Sequence, residues 1–149
     1  MNRLWVHQFD TPLGRVYIAA TSKGLSLLTL PGGSEKWFTD KVKSTFGDHE
    51  IQSGGALNSR GERQITEYFA GKRRTFDLPL DLRGAPFHLR VLHEVAKIPF
   101  GRTKTYGEIA RAVKNPNASR AVGTANARNM IPIIIPCHRV IGSDGNLTG

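Results

Sequence analysis

T105-Y-G-E-I-A-R-A-V-K-N-P-N-A-S-R-A-V-G-T-A-N-A127 reads as two short helices joined at a proline. Thr105 and Glu108 match a capping box: the threonine hydroxyl accepts from the Glu108 backbone N–H, and the glutamate reaches back to the Thr105 N–H. Ile109, Ala110 and Val113 then point inward. Asn115-Pro116-Asn117 ends this helix, because proline cannot continue it and disfavours helical geometry in the residue before it. Ala118, Ala121, Val122 and Ala125 fall at the spacing of a second apolar helix face. Such a pair is a helix-turn-helix candidate, although proteins that never touch DNA also contain it. The outward face presents Ser119, Arg120, Gly123, Thr124 and Ala127, all small apart from the arginine. A solvated face normally carries long polar chains, and glycine costs about 1 kcal/mol against alanine inside a helix. Small residues let a backbone come close, either to a nucleic acid with Arg120 standing proud or to the other half of the protein.

Four residues further along begins I131-P-I-I-I-P-C-H-R-V-I141, which holds the only cysteine. Pro132 and Pro136 remove backbone donors, so the isoleucine run is not an ordinary central strand. A lone cysteine is more often a small buried apolar residue than a nucleophile. Here His138 and Arg139 follow at once, and a cationic or hydrogen-bonding neighbour favours thiolate, the reactive form. Neighbours in an extended chain point apart, so adjacency alone does not establish contact. His7, His49, His88 and His93 show no ligand spacing with Cys137, and no metal site is expected.

Upstream, the pattern changes at R83-G-A-P86, where a domain boundary is expected between 1–82 and 83–149. Before it, L4–F9, R15–A20 and L25–L30 alternate or run β-rich between turns at T11-P-L-G14 and S22-K-G24, which predicts an antiparallel meander. Residues 37–46 and 56–70 carry helical spacing, the second through Leu57, Ile65, Tyr68 and Phe69, and F76–L82 looks extended. After the boundary, Phe87, Val91, Leu92, Val95 and Ile98 form one helical stripe closed by Pro99. The expected class is α+β: a small antiparallel sheet with helices, then a mostly helical domain with the helix-turn-helix.

The charge is unevenly spread. Of the net +9 over 149 residues, residues 83–149 hold ten Lys and Arg against Glu94, Glu108 and Asp144, which is +7, and residues 1–82 hold the remaining +2. A basic half beside a nearly neutral one is the footprint of a protein that meets a polyanion, or simply a solubilising surface. No stretch approaches the ~20 apolar residues of a membrane helix, no export signal is visible, and a single thiol suits a reducing cytoplasm.

I-P-C-H-R-V-I resembles the active-site signature of the O6-alkylguanine-DNA alkyltransferases, DNA-repair proteins that take an alkyl group on their own cysteine. I98-P-F-G-R-T-K-T-Y-G-E-I-A110, S119-R-A-V-G123 and Asn129 are similar to the family in order and spacing, and T11-P-L-G14 and E67-Y-F-A-G71 extend the resemblance over the first domain. The resemblance implies a ribonuclease H-like first domain and a winged-helix-like second one. It implies that Cys137 is nucleophile and alkyl acceptor, that His138 takes its proton through a water, that Tyr106 helps protonate the departing guanine, and that Asn129 braces the turn. Arg120 would fill the stack behind a flipped nucleotide, and Ser119, Gly123, Thr124 and Ala127 would lie against the minor groove of double-stranded DNA. Pro132 and the backbone carbonyl of Val140 would line the base pocket. The implied reaction is irreversible repair of O6-alkylguanine, and of O4-alkylthymine, once per molecule, by a monomer in the cytoplasm or on the nucleoid, without a cofactor. From the residues alone, Tyr106 could instead pack its ring, Arg120 be a solvated cation and Asn129 a helix cap.

The sequence closes on D144-G-N-L-T-G149, where the family continues with a glycine-rich, tyrosine-containing segment and a helix whose glutamate orients the histidine. A second domain truncated at its C-terminal end is therefore expected, with Asp144 the nearby acidic residue, weak repair and DNA binding partly kept. Two other readings stand beside this one. Alkyltransferase-like proteins flip damaged bases without a cysteine, and a cysteine hydrolase would need a distant histidine with an orienting Asn or Asp.

Overall fold

The computed structural model describes residues 2–142, and its internal packing divides the chain between Leu82 and Arg83 into two units. In the first, β1 (Arg3–Thr11) and β2 (Gly14–Ala20) form a hairpin with Trp5 opposite Ala20 and Thr11 opposite Gly14. The turn closes because Gly14 adopts φ +131° and the Thr11 hydroxyl donates to the Gly14 carbonyl at 2.7 Å. β3 (Leu25–Leu28) adds antiparallel to β2. α1 (Glu35–Phe46) then carries the chain to β4 (Glu50–Ser53), which pairs parallel with β1, Arg3 opposite Glu50. The strand order is β3-β2-β1-β4, so the sheet is mixed rather than a purely antiparallel meander. β4 escapes sequence reading because E50-I-Q-S53 is short, mostly exposed and carries one apolar residue.

α2 (Ala56–Phe69) packs on this sheet through Gly61, where a methyl group would stand 2.7 Å from Ile18 Cδ1. Its buried residues are Asn58, Gly61, Gln64 and Ile65; of the expected stripe only Ile65 is among them. The polar pair is used structurally. Asn58 Nδ2 donates to the Trp5 and Gly54 carbonyls, and the Gln64 amide exchanges both its hydrogen bonds with the Asp77 backbone. Residues 76–82 form no strand of their own; a single bridge joins Leu80 to Leu25. That segment runs so close to the chain that a methyl on Gly24 would lie 2.6 Å from the Pro79 carbonyl oxygen.

In the second unit, α3 (Pro86–Ala96) starts with proline at its first turn and buries Val91, Leu92 and Val95. β5 (Lys104–Thr105) leads directly into α4 (Tyr106–Ala112), whose capping box forms with both reciprocal bonds. α5 (Ser119–Ala127) packs against α3 and α4. It buries Val122, Ala125 and Asn126, while Ala121, expected inward, is exposed. At ~100° per residue Ala121 lies about 90° from the centre of the buried stripe, and Asn126 occupies the flank in its place. A 3-10 turn over Cys137–Arg139 follows, then β6 (Val140–Ile141), which pairs parallel with β5.

Candidate active site

The cysteine stands at the end of a loop with little backbone freedom. Ile131, Ile133 and Ile135 are buried and anchor it. Between them, Ile133 adopts φ +75° and the Ile134 N–H donates to the Pro132 carbonyl at 2.9 Å, a three-residue turn of the strained kind. A β-branched residue rarely tolerates positive φ, at a cost of order 1–3 kcal/mol, so the surrounding packing must hold it there. Pro136, with φ −80° and ψ 67°, makes a second such turn of the relaxed kind, closed by the Cys137 N–H on the Ile135 carbonyl at 2.8 Å.

Two asparagines, Asn126 in the last turn of α5 and Asn129 just beyond it, hold this loop. Asn129 donates through Nδ2 to the Ile135 carbonyl at 2.9 Å and accepts the Ile131 N–H on Oδ1 at 3.0 Å. Asn126, only 2% exposed, donates to the carbonyl of Cys137 itself at 3.1 Å, while its buried Oδ1 has no partner among the described residues. Asn126 is the site residue that sequence reasoning missed. Its position three residues before Asn129 on a helix was the available signal, but its burial follows from how α5 is turned.

Cys137 is half-buried as a residue, not part of the sealed core. His138 follows on the same 3-10 turn and is exposed. Its pKa is lowered from 6.5, first by partial removal of the ring from water and second by the charge of Arg139, so the imidazole is neutral and able to accept a proton at neutral pH. Among the described residues no direct hydrogen bond joins the imidazole to the thiol. Arg139 turns elsewhere: its Nη1 donates to the Ile98 carbonyl at 2.7 Å beyond the end of α3, and its guanidinium lies 5.6 Å from the Phe100 ring centre. The guanidinium therefore reinforces the loop rather than pairing with the sulfur. Asp144 lies outside the described residues.

Val140 is buried, and its N–H closes onto the Cys137 carbonyl. Pro132 is half-buried in the loop. On α5, Ser119, Arg120, Thr124 and Ala127 are exposed, and Arg120 has no ion pair or side-chain hydrogen bond among the described residues. The Thr124 hydroxyl is used within the helix, on the Arg120 carbonyl at 3.2 Å. Gly123 is half-buried, and a methyl there would touch Tyr106 Cε1 at 3.9 Å. The ring of Tyr106 thus borders the small-residue face of α5 within the same unit.

A mixed sheet with two helices, followed by a helix-turn-helix unit whose last turn presents a thiol and a neutral imidazole, defines a two-domain, cysteine-bearing, DNA-binding class of protein. Residues 5–82 match the 6-O-methylguanine DNA methyltransferase ribonuclease-like domain, and residues 86–149 match the 6-O-methylguanine DNA methyltransferase DNA binding domain. The chain belongs to the 6-O-methylguanine DNA methyltransferase family. It is 55% identical over 140 residues to a methylated-DNA–protein-cysteine methyltransferase of Mycobacterium bovis, covering 94% of this chain and 79% of that one. A constitutive enzyme of the same description from Bacillus subtilis is 42% identical, with 94% and 82% covered. The crystal structure of the Mycobacterium tuberculosis protein OGT in complex with DNA superposes with a TM-score of 0.80 at 38% identity, covering 97% of this chain and 83% of that chain.

Proposed function

We propose that the protein repairs alkylated DNA by moving the alkyl group from guanine O6 to Cys137, once per molecule. The observation that carries this reading is the Asn126 bond: the chain's single cysteine, half-buried, is fastened through its backbone carbonyl to the helix that displays Arg120. In the reaction, Cys137 gives up its proton through a water to neutral His138, and Sγ forms a bond to the alkyl carbon as the carbon–O6 bond breaks. The electron pair left on the base is neutralised by a proton from the Tyr106 hydroxyl, and the phenolate regains one through solvent as His138 gives up the proton it took from the thiol. The thioether does not revert, so turnover ends there. O4-alkylthymine presents the same bond and falls within the proposal.

The unit from Arg83 onward would carry DNA binding and chemistry, with α5 in the minor groove of double-stranded DNA. Flipping the base out costs a few kcal/mol, part of which Arg120 offsets by filling the vacated stack. Ser119, Gly123, Thr124 and Ala127 permit close approach, Pro132 and Val140 wall the pocket, and Asn129 keeps its turn rigid. No cofactor enters this chemistry. A monomer acting in the cytoplasm, or on the nucleoid, suits it. Among the described residues no helix is long and apolar enough to cross a membrane.

The test is an intact-protein mass after incubation with a duplex containing O6-methylguanine. A single stoichiometric methyl gain, absent from Cys137→Ala, is expected. Tight binding to the lesion without any gain would overturn the transfer reading.

A further inference from the structure

Tyr106 lies at a junction that two separate devices hold. On one side, the β5–β6 ladder pairs Lys104 with Val140 and Thr105 with Ile141, so the chain entering Tyr106 is tied to the chain leaving the Cys137–Arg139 turn. On the other, Thr105 and Glu108 close reciprocally: the Glu108 N–H donates to Thr105 Oγ1 at 3.0 Å, and the Thr105 N–H donates to Glu108 Oε1 at 3.1 Å. Tyr106 is the first residue of α4, directly after the threonine whose backbone and hydroxyl are both engaged. Its ring borders Gly123, whose α-carbon offers no side chain to lock it. The ladder and the capping box therefore fix the backbone from which the Tyr106 side chain starts, beside the strand that leaves the cysteine turn.

We infer that Glu108 is a positioning residue, closing the capping box with Thr105 so that the Tyr106 hydroxyl is held where the departing base needs a proton. This rests on the proposed alkyl transfer and deepens it. Glu108 is exposed and touches neither thiol nor imidazole, so it acts only through its neighbour. Its carboxylate stays ionised well into acid, because the Thr105 N–H lowers its pKa below 4.5. Glutamine can make the same return bond, whereas alanine cannot.

The single cysteine makes the measurement direct: the rate at which one methyl appears on the intact protein from an O6-methylguanine duplex. Five forms are compared: the unaltered protein, Glu108→Ala, Glu108→Gln, Tyr106→Phe, and Tyr106→Phe combined with Glu108→Ala. Misplacing a proton donor by a fraction of an ångström should slow transfer roughly tenfold in Glu108→Ala, and Glu108→Gln should transfer at nearly the unaltered rate. Once the hydroxyl is gone the carboxylate has nothing to position, so Glu108→Ala should change the Tyr106→Phe rate less than about twofold. Affinity for the duplex and melting temperature are followed in parallel; Thr105→Ser, which keeps the cap hydroxyl, provides a second variant expected to transfer normally. Equal slowing by Glu108→Ala in both backgrounds would overturn the inference, as would an unaffected Glu108→Ala or a Glu108→Gln as slow as the alanine. A Tyr106→Phe protein as fast as the unaltered one would instead remove the role of the tyrosine itself and the inference with it. If the unaltered protein takes no methyl at all, the alkyl-transfer reading fails first, and visibly so.

Discussion

If His138 is the base proposed for Cys137, its protonation sets the pH range in which the thiol can be activated. Partial desolvation of its ring, reinforced by Arg139, favours the neutral form and puts its midpoint below 6.5. The folded state thus disfavours the imidazolium. As pH falls from 6.5 the unfolded chain takes up the proton first, so stability is lost over that interval, and the loss is complete once pH passes below the folded midpoint. The acid limb of methyl transfer should follow the folded midpoint. An NMR titration of the five histidines, with His138 assigned through His138→Gln, is expected to place it below 6.5. A midpoint above 6.5 would mean that a negative neighbour, not desolvation, governs the ring. Asn126 is a buried amide whose oxygen has no partner among the described residues, which costs stability, so its presence is better explained by the Cys137 carbonyl it holds than by packing.

At the scale of elements, α5 carries a conflict between stability and approach. Gly123 sits in a helix interior, where alanine would be favoured by about 1 kcal/mol, and a methyl there would make only ordinary contact with Tyr106 at 3.9 Å. Gly123→Ala should therefore raise the unfolding free energy by up to about 1 kcal/mol in a urea titration. If α5 lies against a nucleic-acid backbone as proposed, the same methyl should weaken duplex binding severalfold in fluorescence anisotropy. A variant that gains stability and binds DNA unchanged would remove the close-approach role of this helix face. The capping box of α4 is legible in the sequence because both bonds run within four residues. The inward face of α5 is not, because Ala121 and Asn126 flank the same stripe and only packing against α3 and α4 selects between them.

At the scale of the whole molecule, charge is the property that reaches furthest. Residues 83–149 carry ten basic against three acidic side chains, and residues 1–82 are close to balanced. If several of those cations meet phosphates, affinity for undamaged duplex should fall steeply with salt, by roughly a thousandfold between 50 and 200 mM for about six contacts. The logarithmic slope should lose about one unit for each phosphate-contacting cation removed, with Arg120→Ala weakening binding to the lesion more than it changes that slope. A flat salt dependence would assign the basic half to solubility.

The sequence by itself determined what neighbours within a turn or two decide: the hairpin at Thr11–Gly14, the helix starts at Pro86 and Thr105, the break at Pro116 and the α+β class. Family membership was also legible there, because I-P-C-H-R-V-I and S-R-A-V-G keep their order and spacing whatever the packing. Only the tertiary structure decided that Glu50–Ser53 joins β1 in parallel, that Arg139 turns to the end of α3 and away from the sulfur, and that Asn126 is buried under the cysteine turn. Each of these joins residues distant in sequence or depends on which face of an element is covered. The free energy that settles it comes from burial and hydrogen bonding between elements, for which local pattern carries no signal.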